Sequence, residues 1–179
     1  MLSALGSIGV GFLLGTSEII IESLPGLLVQ VPPLMSIRGA IGGAFSARLS
    51  TALHLGTIKP QLRNNTPNFK KSFIAIMILT VILPVWIGGL SYLVTVLFNV
   101  GEGHHLSLLG FILIAELSSV ISGFLQALVT IFLSILTYRR GLDPDMVVSP
   151  LLYTTGDVIG LFSIIFVTQA LIISGVGLI

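Results

Sequence analysis

Residues 147–173 read VVSPLLYTTGDVIGLFSIIFVTQALII, an apolar run that carries one carboxylate, Asp157, near its middle. About 20 apolar residues suffice to cross the hydrocarbon core of a bilayer, so this run is a membrane span. An ionised group stranded in lipid costs about 3 kcal/mol on insertion scales, and Asp157 is therefore expected to face a protein interior or an aqueous path. Just upstream, Tyr138-Arg139-Arg140-Gly141-Leu142-Asp143-Pro144-Asp145 forms a charged turn that closes one apolar segment and opens the next. The two features together point to an ion-handling membrane protein.

Composition agrees. Hydrophobic residues make up 54% of the chain and charged residues only 8%, with a mean hydropathy of +1.10; soluble domains carry roughly 25% charged residues. A formal net charge of +1 gives no footing for nucleic acid or an acidic substrate. The chain has no cysteine, which excludes disulfides, thiolate metal sites and thiol catalysis. No Lys or Arg precedes Arg38, so the N-terminus lacks the basic flank of a secretory signal and reads as a retained helix.

Taken at bilayer length, the apolar pattern gives an all-α polytopic fold of five transmembrane segments in one domain, residues 1–179. They are Leu2 to Ile21, Leu24 to about Leu55, Phe73 to Phe98, Leu106 to Leu136 and Val147 to Ile173. Lys59, Arg63, Lys70 and Lys71 fall in the second linker and Arg139 and Arg140 in the fourth, whereas the first and third have no Lys or Arg. The positive-inside rule puts the basic linkers in the cytoplasm, the N-terminus inside and the C-terminus outside, as expected for a multi-pass protein of the cell (plasma) membrane.

The second segment holds Pro25, Pro32 and Pro33 and a cluster at Gly39, Gly42 and Gly43, and is expected to be a discontinuous helix whose freed backbone groups line a cavity; the alternative is a kink that only shapes packing. Gly11/Gly15, Gly39/Gly43 and Gly156/Gly160 each form a G-x-x-x-G pair that would let helices approach closely.

Counting along the segments places Asp157 about ten residues from the cytoplasmic side, Glu116 about ten from the outer side and Arg38 at a similar level, all near mid-membrane at about 1.5 Å per residue. Glu18 and Glu22, four apart on one helix face, fall near the outer surface. One structural reading pairs Glu116 with Arg38 as a neutral buried ion pair, which leaves Asp157 without a cation at its depth. Glu116, Ser119, Gly123, Gln126 and Thr130, at spacings of 3, 4, 3 and 4, make a polar or small stripe on one helical face. Pro150, Thr154, Asp157 and Gly160 repeat the pattern on the fifth segment, so the two faces either line a path or simply pack through small residues.

The available donors are hard oxygens, which suit Mg²⁺, Ca²⁺ or Mn²⁺. The candidate metal ligands are Asp157, Thr154, Glu116, Glu18 and Glu22. Mg²⁺ keeps several waters, so a sparse site with one carboxylate from each of two subunits is chemically sensible for it. His104 and His105 with Glu102 read as a solvated outer loop rather than a metal centre.

Pro32-Pro33-Leu34-Met35-Ser36-Ile37-Arg38-Gly39-Ala40, continuing through Ala47-Arg48-Leu49-Ser50-Thr51-Ala52 to Leu55-Gly56, resembles the second-helix signature of the MgtE and solute carrier family 41 magnesium transporters. Arg139-Arg140-Gly141-Leu142-Asp143-Pro144-Asp145, then Pro150 and Thr154-Thr155-Gly156-Asp157-Val158-Ile159-Gly160, is similar to their loop and final helix, whose aspartate lines the cation pathway. The resemblance covers nearly the whole chain as one five-helix unit. It implies a homodimer in the lipid bilayer with a pore along its two-fold axis, where Asp157 of each subunit holds a largely hydrated Mg²⁺, with Mn²⁺ or another divalent cation as alternatives. The family's asparagine after the motif glycine is Ala40 here, and the cytoplasmic N-domain and CBS pair of bacterial relatives are expected to be missing, so channel and exchanger mechanisms both stay open.

Two other classes compete. An intramembrane aspartyl protease needs a second membrane-embedded aspartate, but Asp143 and Asp145 lie in a loop; a serine protease lacks both a G-x-S-x-G motif and a mid-membrane histidine. A non-transporting assembly subunit, whose charges only pair helices, remains the alternative to a transporter that is not an enzyme.

Overall fold

A computed structural model describes residues 26–62, 64–100 and 106–175, together with Leu24 and positions 8, 9, 11, 12 and 15. Four long helices follow one another: α1 (Gly26–His54), α2 (Pro67–Leu97), α3 (Leu108–Arg139) and α4 (Pro144–Ser174). They coincide, to within a few residues except at the start of α2, with the second to fifth apolar segments. Of the first segment, the described positions are helical, and Gly9 sits against Val158 of α4. Glu18, Glu22, Arg63, Glu102, His104 and His105 lie outside the described residues, so the expectations placed on them are not addressed by the fold.

Local chemistry sets the helix ends. Pro67 starts α2, where its missing N–H costs nothing. Gly110 N–H donates to the Ser107 hydroxyl to cap α3 at 3.1 Å. The charged turn expected before the last segment is a capping device: Asp145 N–H donates to the Asp143 carboxylate at 3.0 Å, Pro144 opens α4, and Gly141 turns the chain at φ 73°. Gly175, at φ 68°, ends α4 in the left-handed conformation.

One expectation is corrected. The second segment is not discontinuous: α1 runs unbroken for 29 residues with Pro32 and Pro33 inside it. Both prolines are on the exposed side, and the carbonyls they leave without a helical donor belong to the preceding turn. The opposite side is pinned, because Leu27, Gln30 and Leu34 are buried and Gln30 Nε2 donates to the Phe111 carbonyl of α3 at 2.6 Å. Neighbouring helices thus hold the turn that the prolines weaken. Among the described helices, α2, α3 and α4 are long and apolar enough to cross a membrane. α1 has the length but not the apolarity; it packs against all three of the others.

Two apolar clusters lie at different depths. One joins Leu27 and Leu34 to Leu106, Phe111, Ile114 and Ile164; the other joins Phe45 and Leu49 to Ile76, Ala127, Ile131 and Ile135. Between them along α1, α3 and α4 comes a polar layer with Arg38, Ser118, Ser119, Ser122, Gln126 and Gly156. At one end of the bundle the basic linkers meet: Arg139 Nε donates to the Pro60 carbonyl at 2.7 Å, and His54 Nε2 lies 3.5 Å from Asp143 Oδ1.

Candidate cation site

Asp157 and Arg38 come to one level. At about 1.5 Å per residue, Asp157 lies roughly 20 Å from the start of α4, and Arg38 roughly 24 Å from the end of α1 at the same face of the bundle. Glu116, by the same measure, is roughly 35 Å from that face. Of the three residues that the sequence count sets at one level, Arg38 and Asp157 lie at similar distances from this end of the bundle, and Glu116 lies farther from it.

Arg38 is almost fully enclosed, with 7% of its surface exposed. Its Nη1 donates to the carbonyl of Gly156 at 3.2 Å, the residue immediately before Asp157. A side chain at Gly160 could not coexist with it, because a β-carbon there would fall on the guanidinium. Gly156 is cut away for a second polar side chain: its β-carbon would come within 2.7 Å of Gln126 Nε2, and one at Gly42 of α1 within 2.5 Å of the same atom. The Gly156/Gly160 pair, expected to bring helices together, thus forms a notch in α4 that receives Arg38 from α1 and Gln126 from α3.

The pairing of Arg38 with Glu116 is also corrected. The charge that Arg38 faces is Asp157, and the two attract one another without closing into a direct ion pair; the one ion pair among the described residues is His54 with Asp143. Glu116 has no charged partner among the described residues. Its Oε2 is buried without a hydrogen bond. α2 and α3 run against each other with Gly88 on Ile112 and Thr80 on Gly123, which sets Glu116 at about the level of Pro84. Depth decides the partner: Arg38 and Asp157 lie within one helical turn of each other, and Glu116 is about two turns beyond Arg38.

Asp157 itself is half-buried and accepts no hydrogen bond from a described residue. Thr154, one turn earlier, donates its hydroxyl to the Leu151 carbonyl at 2.9 Å, leaving the oxygen's acceptor side free. Tyr153, 56% exposed, lies over the other glycine pair, with its ring 3.9 Å from a β-carbon position on Gly39 and its hydroxyl 3.6 Å from one on Gly43. Beside it α1 presents Ser36, Ala40, Ala44 and Ala47, all exposed and small. Of the fourth-segment stripe, now on α3, Ser119, Gln126 and Thr130 are buried and Gly123 is closed by Thr80, so that face is spent on helix packing around a cavity of about 20 Å³, enough for roughly one water.

Asp157 and Thr154 thus share the α1–α4 face, Glu116 stands apart, and among the described residues no three acidic or histidine side chains converge on a metal-sized point. Sequence reading missed the pairing of Arg38 with the Asp157 turn and the wedge role of Gln126. The depth count already held the first signal, since it put Arg38 and Asp157 at one level; the second had none beyond a polar residue in an apolar helix.

No curated protein is similar enough to stand beside the chain as a relative. The family profile described as MgtE, divalent cation transporter, matches residues 31–167, well over half of the 179 residues and spanning α1 to most of α4, and the chain therefore belongs to this family of membrane-embedded divalent cation transporters.

Proposed function

We propose that this chain carries Mg²⁺ across the plasma membrane along the open face shared by α1 and α4, with Asp157 as the principal cation site. The observation that carries the reading is the Asp157 carboxylate, set near the middle of an apolar helix, half-buried and without a hydrogen-bond donor among the described residues. Such a group needs a cation or water to be tolerable in that position. A hydrated Mg²⁺ supplies both, since it is bound through one or two carboxylates and retains several waters. Thr154 adds a hard oxygen one turn away.

A second copy completes the path. The exposed small residues of α1 leave room for a symmetry mate, and two such faces set together give two Asp157 carboxylates across one axis. Residues 1–179 act as one transmembrane unit with the basic linkers in the cytoplasm. Glu116, Glu18 and Glu22 are secondary oxygen donors nearer the opposite entrance.

One observation favours a structural role instead, the attraction between Arg38 and Asp157. Asp157→Asn separates the two readings, because it keeps size and removes charge. In proteoliposomes at matched reconstitution, Mg²⁺ flux is abolished while the protein still runs as a monodisperse dimer. Wild-type flux in Asp157→Asn would show that this carboxylate only holds helices together.

A further inference from the structure

Arg38 is held in an unusual way for a buried guanidinium. Among the described residues only Nη1 is satisfied, by the Gly156 carbonyl, while Nε and Nη2 are buried without a hydrogen-bond partner. Among the described residues the one charged group it senses is Asp157, and no direct ion pair forms between them. Arginine cannot shed its proton in a protein, so the charge is permanent. Burying it costs several kcal/mol unless a partner compensates. The notch at Gly160 exists only because that position has no side chain. Arg38 also lines the cavity of about 20 Å³, whose walls are mainly apolar, such as Ile41, Phe45 and Ile76, with Gln126, Ser119 and Thr130 among them.

We propose that Arg38 is a tethered counter-cation of the transport path, which partly neutralises Asp157 from behind and competes with the transported divalent cation for it. This positioning role rests on the reading of Asp157 as the cation site. Conduction requires a site that binds strongly enough to admit the ion and weakly enough to release it. Asp157 without Arg38 would hold a divalent cation too tightly. With the guanidinium behind it, the carboxylate is neutralised when the site is empty, and an arriving cation meets a repulsion that speeds its departure. The water-sized cavity beside it leaves the guanidinium room to turn as the cation enters.

The test compares Arg38→Gln, which removes the charge, with Arg38→Lys, which keeps it, in the full-length chain in proteoliposomes with Mg²⁺ as the probe. Arg38→Gln lowers the half-saturating Mg²⁺ concentration about tenfold, equivalent to about 1.4 kcal/mol, and lowers the maximal rate as release slows. Arg38→Lys stays close to wild type in half-saturation. An unchanged half-saturation in folded Arg38→Gln, or an equal shift in Arg38→Lys, overturns the proposal. If Arg38→Gln does not assemble, the double variant Arg38→Gln/Asp157→Asn, which removes both charges, recovers a monodisperse protein; its failure where Asp157→Asn alone assembles also overturns it. Wild-type flux in Asp157→Asn removes the cation-site reading and this inference with it, whereas lost flux there with unshifted Arg38→Gln overturns this inference alone.

Discussion

The glycines of the α2–α3 seam and those of α4 are used in opposite ways. At Gly88 a β-carbon would come within 2.8 Å of Ile112 Cα and 3.0 Å of the Phe111 carbonyl, so the missing side chain lets two backbones touch. At Gly156 and Gly160 the space is filled by the ends of Gln126 and Arg38. The seam is a dry contact that fastens α2, a helix whose remaining surface is broadly apolar and exposed, to the bundle. The notch stores a buried charge and a buried amide beside Asp157. Small residues in a membrane helix therefore do not by themselves announce helix packing; what enters the vacated space decides whether the result is adhesion or electrostatics.

The comparison breaks most readily at Gly88. Gly88→Ala pushes a methyl group into backbone that has no rotamer to escape with, and we expect a loss of about 3 kcal/mol, the upper part of the usual overpacking range. Thermal unfolding in detergent measures it, and near-wild-type stability would show that the seam is looser than its geometry. Gly156→Ala meets the flexible end of Gln126 instead, so the stability cost drops to about 1 to 2 kcal/mol. Because the displaced amide lies against Gly156, the residue before Asp157, transport is expected to fall with it, and a Gly156→Ala protein that is destabilised yet transports normally would detach the notch from the path.

Glu116 belongs to the seam rather than to the notch, and it has no charged partner among the described residues to lose. Glu116→Gln is expected to leave Mg²⁺ flux within about threefold of wild type, less than 1 kcal/mol. A loss of flux as deep as that of Asp157→Asn would put the two carboxylates on one path and erase the distinction between the regions. The smallest effect is at Gly89, whose β-carbon would meet nothing within 4 Å although it is the direct neighbour of Gly88. Gly89→Ala should change stability by no more than about 0.5 kcal/mol in the unfavourable direction and can gain from the better helix propensity of alanine.

Much of the fold was legible because the bilayer simplifies the code. Apolar length alone located α2, α3 and α4, and α1 followed from its shorter apolar stretches. Prolines misled at Pro32 and Pro33, since a proline reports the loss of one backbone donor and says nothing of the neighbours that hold the turn together. Here those neighbours are Gln30 against the Phe111 carbonyl and the buried Leu27 and Leu34. The candidate site was legible as a single residue and not as a constellation. Asp157 stands out by composition, whereas one reading of the sequence pairs Arg38 with Glu116, because two charges of opposite sign at comparable counts look like a pair when helix offsets are unknown.

By itself, then, the sequence determined that this is a membrane protein and where the four long described helices run, and it singled out hard oxygen donors, Asp157 foremost, as the candidates for metal chemistry. These follow from transfer free energies and donor types, which belong to single residues and short windows. Which partner each buried polar group takes was decided only by the tertiary structure. Arg38 reaches Gly156 across 118 positions of sequence and Gln30 reaches Phe111 across 81. Such contacts depend on the relative depth and rotation of helices that no local pattern encodes, and a shift of one helical turn, about 5.4 Å, is enough to exchange one partner for another.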